Sequence, residues 1–208
     1  MAHEFLNPEF YYGFRPKHGS QAALFRHVKR SLTALPGEIT GCKILIGQLD
    51  LHDITLEDLH QVLPDAKFLV LYRRNILKQF VSLKIARATK QYLVSNPSAV
   101  RTTNVTIDMN ELEDFFRLNN AEYQSVLEYP WMQEKGRLLA YEDLASAPQE
   151  AFDKQVFPFL NVPRLEIVTS LVKQGKRPME EVIENYASIE SQLGKYLEYD
   201  PRVQPVLS

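Results

Sequence analysis

The feature that most restricts this chain is an apolar run, AKFLVLY (66 to 72), that passes without a spacer into Arg73 and Arg74 and then into the helical period of NILKQFVSLKIARATKQYL. The β-branched and aromatic side chains of the run suit a buried strand. Asn75 is a residue type that caps a helix by accepting a hydrogen bond from its first turn. A strand that turns directly into a helix is the building unit of a parallel sheet, because the chain must cross back over the sheet before the next strand can run the same way. The arginine pair then falls on a turn at the carboxyl end of a strand. In open parallel sheets such turns are where ligands bind, and the helix N-terminus behind them favours anions. Strand-end arginines also occur as plain solvated charges, so this segment leaves open both the role and which arginine would serve it.

Two further runs, KILIGQL (43 to 49) and RLLAYEDL (137 to 144), read as strands, and helical patterns alternate with all three. Ser20 to Leu35 is amphipathic and is stopped by Pro36 and Gly37; TLEDLHQVL (55 to 63) ends at Pro64; the segment from Asn75 to Leu93 is long and broadly apolar, as a helix packed on a sheet would be. Residues 95 to 106 read as a loop before MNELEDFFRLNNAEYQSVLEY resumes the helical period. Beyond the third strand, Ser146 is the expected N-cap of a helix that has Pro148 near its start, and MEEVIENYASIESQLGKYL is expected to form a last helix. The expected class is α/β, a parallel sheet flanked by helices, in a single domain spanning residues 1 to 208. Three strands are few for that length.

Composition removes several alternatives. No window of 18 apolar residues occurs, so no membrane span is expected. The N-terminus lacks the basic segment and apolar core of a signal peptide, and the single cysteine, Cys42, has no partner for an internal bridge; both point to a cytoplasmic setting. A net charge of −2 argues against a nucleic-acid surface and confines any anion site to a local cluster. The five histidines show no HExxH spacing, so no metal is expected, and His52 and His60 read as surface or packing residues. A G-x-S-x-G elbow, a G-x-G-x-x-G turn and a G-x-x-x-x-G-K-[ST] loop are all absent.

What remains is a set of anion donors on separate turns: Arg74 with Ser82 eight residues later, then Lys173, Lys176 and Arg177 around one glycine. Several guanidinium and ammonium groups with a hydroxyl suit a dianionic phosphate monoester, because charge-assisted bonds from different directions offset its desolvation.

RNILKQFVS resembles the 3′-phosphate-binding element of the sulfotransferase superfamily, and LLAYEDLASAPQEAFDKQVFPFLNVP resembles that family's strand, helix and Phe-Leu-x-Val-Pro stretch. VKQGKRPMEEVIENYASIESQL is similar to the segment that closes over the nucleotide, and GCKILIGQL to the second sheet strand. The resemblance implies a P-loop-kinase-like parallel sheet and 3′-phosphoadenosine 5′-phosphosulfate (PAPS) as co-substrate. Arg74 and Ser82 would hold its 3′-phosphate, while Lys173, Lys176 and Arg177 would close over the nucleotide. The acceptor would be a hydroxyl on a small molecule, carbohydrate or lipid, with no metal required.

Two departures qualify it. Ile76 stands where the family usually has proline, and the opening strand with its Ser/Thr-Gly-Thr/Ser loop, which cradles the phosphosulfate, has no counterpart. The expectation is therefore an N-terminally incomplete copy, whose open sheet would favour homo-oligomers. HEFLNPEFYYGF resembles the family's stretch beyond that loop and its helix, where some bacterial members carry a glutamate proposed as base. Glu4 occupies the matching place, and His3 is a weaker candidate. Tyr11, Tyr12, Phe14 and Trp131 are candidates to line an acceptor pocket or to pack in the core. The alternatives are a non-catalytic nucleotide-binding or interaction remnant of the fold and a P-loop kinase relative that uses ATP.

Overall fold

A computed structural model of the protein describes residues 4–7, 20–92, 97–168 and 177–203. The chain divides into two compact units, Met1–Ala66 and Lys67–Ser208. The protein is mixed α/β, with a small parallel sheet in the second unit.

In the first unit, α1 (Gln21–Thr33), α2 (Ile46–Leu51) and α3 (Leu56–Val62) share a small core of Leu6, Leu24, Val28, Leu49, Ile54 and Leu59. Leu24 and Val28 lie four residues apart on α1, so one helical face supplies both. A capping box starts α3: Thr55 Oγ1 accepts from the Asp58 N–H at 3.1 Å, and the Asp58 carboxylate accepts from the Thr55 N–H at 2.8 Å. His52 is buried and its Nε2 lies 2.7 Å from the Leu6 carbonyl oxygen, which fastens residues 4–7 to the end of α2.

The expected strand at residues 43 to 49 is not formed. From Ile46 the chain is helical, and the Gln48 side chain accepts from the Leu45 N–H at 3.1 Å at the start of that helix. A strand needs a hydrogen-bonding neighbour, and a short apolar run has no periodicity of its own to distinguish a strand from one buried helical turn.

In the second unit, β1 (Phe68–Tyr72) and β2 (Gly136–Ala140) pair in parallel with Phe68 opposite Gly136 and Tyr72 opposite Ala140. The crossover between them contains α4 (Ile76–Thr89), α5 (Met109–Leu127) and the single turn α6 (Met132–Lys135). Alternation along the strands sends Val70, Tyr72, Leu138 and Ala140 to one face. There they join a core with Ile76, Leu77, Phe80 and Val81 of α4 and Leu112 and Phe116 of α5. Asn75 caps α4 by accepting from the Lys78 N–H at 2.7 Å, and Asp108 caps α5 by accepting from Asn110 N–H at 2.7 Å.

The strand expected over 137 to 144 ends at Ala140, and Tyr141–Ser146 forms α7. Ser146 is the last residue of that helix rather than an N-cap. Its hydroxyl donates back to the Asp143 carbonyl at 3.4 Å, and Ala147 precedes α8 (Pro148–Ala151). The chain continues through a π-helical segment, Phe152–Val156, into α9 (Phe157–Leu160). Pro158 explains the wider turn: it has no N–H, and its ring would collide with the carbonyl of the residue four before it in a regular α-helix.

The expected long helix over 179 to 197 is also broken. It consists of α10 (Met179–Val182), an extended residue, α11 (Tyr186–Ile189) and two 3₁₀ turns. Ile183 forms a parallel bridge with Val105, and the Asn185 side chain brackets Ile107, accepting from its N–H and donating to its carbonyl, each at 2.9 Å. These tertiary bonds replace the helical ones that the local pattern favoured.

Candidate functional site

The two parallel strands end side by side, so the turn after β1, carrying Arg73, Arg74 and Asn75, meets the first turn of α7, carrying Tyr141, Glu142 and Asp143. Arg74 donates from Nη1 to Asp143 Oδ1 at 2.6 Å and from Nη2 to Oδ2 at 2.8 Å, a bidentate pair. Hydrogen bonding from Arg74, joined by its charge, holds the Asp143 carboxyl below the ordinary carboxylate range although burial opposes it. The same hydrogen bond raises the guanidinium further above its ordinary value. Glu142 accepts from the backbone N–H of Arg74 at 3.0 Å and of Asn75 at 3.3 Å. The anion expected at this helix start is therefore supplied by the chain itself.

Arg73 places its guanidinium 3.5 Å from the centre of the Tyr141 ring, a cation–π contact. The pair of arginines is thus divided between two jobs, and Arg74 is the one directed at a carboxylate.

A third segment closes on this turn. Tyr199 N–H donates to the Arg74 carbonyl at 2.8 Å, and the Gln124 amide donates to the Pro201 carbonyl at 2.7 Å. Tyr72, Tyr123 and Tyr199 cluster behind it, with Tyr123 donating its hydroxyl to the Leu71 carbonyl at 3.3 Å and Tyr199 to Asn120 at 2.9 Å. Burial pushes the Tyr123 phenol up to about 12, so it stays a neutral donor across the physiological range.

Of the other expected residues, those the structure describes are not bonded to Arg74. Ser82 is exposed on α4, and the seven residues from Asn75 to Ser82 correspond to about 10 Å of helix. No hydrogen bond joins Ser82 to Arg74. Arg177 donates to Asn104 Oδ1 at 3.1 Å and to the Glu181 carbonyl at 2.7 Å, which ties it to α10, the helix that follows it, and to the residue before Val105. Lys173, Lys176, His3, Tyr11, Tyr12 and Phe14 fall outside the described residues. Trp131 packs against Tyr129, with ring centres 5.2 Å apart, and against Phe68 at 5.0 Å.

In the first unit Glu4 is held by three side chains: Lys43 Nζ at 2.9 Å, Asn7 Nδ2 at 2.9 Å and Gln48 Nε2 at 3.3 Å. Burial alone would raise its pKa, but these hydrogen bonds and the Lys43 charge outweigh burial and leave the carboxyl below its ordinary range. Glu4 is therefore an ionised and fully engaged acceptor, which makes it a weak base.

Sequence reasoning takes in Glu142 and Asp143 only as members of a longer stretch with a family resemblance, and it misses Tyr199, Asp200 and Arg202. The signal that could have found the carboxylates is a pair of them directly after one strand and a pair of arginines directly after another. No family model, no curated protein and no solved structure matches this chain. Among the described residues, no helix is long and apolar enough to cross a membrane.

Proposed function

We propose that the protein is a PAPS-dependent sulfotransferase whose 3′-phosphate site is built on Arg74. The observation that carries this is the meeting of the stretch with the most specific resemblance, 67 to 88, with a second resembling stretch, 138 to 163, at the carboxyl ends of adjacent parallel strands, with Arg74 at their junction. That is where an open parallel sheet binds ligands. Asp143 uses two of the five N–H donors of the guanidinium and the Tyr72 hydroxyl takes another, which leaves two donors for a phosphate approaching from solvent. Arg74 is 36% exposed, so such an approach is open.

In this reading the acceptor oxygen attacks sulfur in line as the bond from sulfur to the 5′-phosphate oxygen breaks. The electron pair of that bond leaves with adenosine 3′,5′-bisphosphate. The base for the acceptor proton is assigned by resemblance alone, to Glu4, whose bonds to Lys43, Asn7 and Gln48 would have to loosen before it could accept one. Ser82, Lys173, Lys176 and Arg177 are assigned to the nucleotide by the resemblance alone.

The test is calorimetric titration with adenosine 3′,5′-bisphosphate, AMP and ATP. The expected result is a preference for the bisphosphate over AMP that disappears in Arg74→Ala. A folded sample that binds ATP better would favour the kinase relative, and one that binds none of the three would remove the nucleotide-binding readings altogether. One observation favours a non-catalytic remnant as the second reading: Glu142 and Asp143 already satisfy the arginine turn, as they would in a scaffold that no longer needs a ligand.

A further inference from the structure

Within the second unit, beside the first half of β2, lies a cavity of about 350 Å³, inside the range of about 300–1,000 Å³ that holds small ligands. Its apolar wall is formed by Val70 and Leu138 from one face of the sheet, Leu127 at the end of α5, and Met132 of α6. Its polar groups are the carboxamides of Gln133 and Gln155 and the guanidinium of Arg202. No carboxylate among the described residues lines it. Arg137 also lines it, and its guanidinium lies 5.2 Å from the centre of the Phe159 ring.

Arg202 is a fixed group rather than a loose surface charge. Its Nε donates to Asp200 Oδ1 at 2.9 Å and its Nη2 to Asp200 Oδ2 at 2.5 Å, and the residues before it are anchored by the Tyr199–Arg74 and Gln124–Pro201 bonds. Both Nη1 hydrogens are left over by this pairing, and the side chain is 64% exposed, so the guanidinium is reachable. A dianion would need more positive charge than one arginine that already carries a carboxylate. A neutral apolar ligand would leave the two carboxamides and the guanidinium edge unused.

We infer that this cavity binds a small molecule with one oxyanion group on an apolar, ring-sized body, the oxyanion on Arg202 and the body against Val70, Leu138 and Met132. The inference stands apart from the proposed nucleotide site, since neither Arg74 nor Ser82 lines the cavity. Gln155, which hydrogen-bonds Asp143, is the physical link between the two.

Trp131 is the single tryptophan and precedes Met132 and Gln133 of the cavity wall, so its fluorescence reports directly on occupancy. The full chain is titrated separately with phenyl sulfate, phenyl phosphate at a pH that keeps it monoanionic, and benzoate, with benzyl alcohol as the uncharged control. The expected result is a saturable response to at least one of the three anions and none to the alcohol. The responding probe identifies the head group as sulfate, phosphate or carboxylate. Arg202→Ala should weaken binding about tenfold or more, and Arg202→Lys by less, because the loss is that of a charge-assisted bond. Leu127→Phe, which fills the cavity from a half-buried helix end, should abolish the response while circular dichroism stays unchanged. No saturable response to any of the three anions, or equal affinity in Arg202→Ala and Leu127→Phe, overturns the inference.

Discussion

The bidentate Arg74–Asp143 pair should contribute a coupling free energy large enough to resolve in a double-mutant cycle. Two unit charges about 4 Å apart attract by about 4 kcal/mol at an effective dielectric constant of about 20. The side chains here are 36% and 37% exposed, so solvent screening and the entropy of ordering two side chains remove more than half of that. Geometry works in the other direction, since two short parallel bonds of 2.6 and 2.8 Å are the strong case for an ion pair. The expected coupling is about 1–2 kcal/mol at pH 7. Its pH dependence follows from the depressed carboxyl pKa of Asp143 in the folded protein. A carboxyl whose pKa falls on folding releases its proton more readily in the native state, so its stabilisation is complete above the unfolded value of about 4. It is then lost as the pH drops through the lower folded value. Urea unfolding of the wild type, Arg74→Ala, Asp143→Asn and the double variant, followed by circular dichroism between pH 7 and pH 3, measures both quantities. A coupling below about 0.3 kcal/mol at pH 7, within the usual additivity error, would refute the claim that this pair organises the strand ends.

Two smaller predictions concern the frame around the site. Tyr196 is 2% exposed and donates its hydroxyl to Glu113 Oε2 at 2.6 Å, a carboxylate that also takes Lys195 and Arg117, so Tyr196→Phe should cost about 1.5–3 kcal/mol of stability by urea titration. Gly136 opens β2 where a Cβ would meet the Met132 carbonyl oxygen at 2.5 Å and the Met132 side chain closer still. Gly136→Ala should therefore lower the unfolding midpoint by several degrees, equivalent to about 1–3 kcal/mol, and an unchanged melting curve would show that the turn before β2 relaxes freely.

The unit from β1 through α4 was legible because every local signal agreed: a β-rich run, a capping asparagine and a broadly apolar helix with no internal proline. The same holds for α1, α3 and α5, each with its cap or its stop written in the sequence. Residues 43 to 49 were not legible, because Ile44 and Ile46 fit the period of a strand, Ile46 and Leu49 fit that of a helix, and over so short a run only packing decides between them. The last segment misled for a different reason. Its helical spacing is real, but Asn185 gains two backbone bonds to Ile107 by leaving the helix, and that contact spans 78 residues. The site falls between these cases. The arginine turn and the carboxylate turn were each visible, yet their contact depends on the parallel pairing of β1 with β2, and Arg74 and Glu142 are 68 residues apart. Local pattern names the ends of strands; only the sheet decides which ends meet.

That the arginine turn is already supplied with carboxylates determines how a phosphate could use it, and it gives the proposed function its sharpest prediction. If a 3′-phosphate needs the donors now bonded to Asp143, binding must break a coupling of about 1–2 kcal/mol, which is roughly tenfold in affinity. Asp143→Asn removes that competition and one negative charge beside the incoming phosphate, so it should tighten adenosine 3′,5′-bisphosphate by about threefold to tenfold. Arg74→Ala should weaken binding by a comparable or larger factor. The two variants then move affinity in opposite directions although each destroys the same salt bridge and lowers stability. If Asp143 instead orients the guanidinium and the phosphate takes only the remaining donors, Asp143→Asn and Arg74→Ala both weaken binding. Calorimetry on the pair separates a competitor from a positioning residue, and parallel losses in both variants would exclude the displacement step.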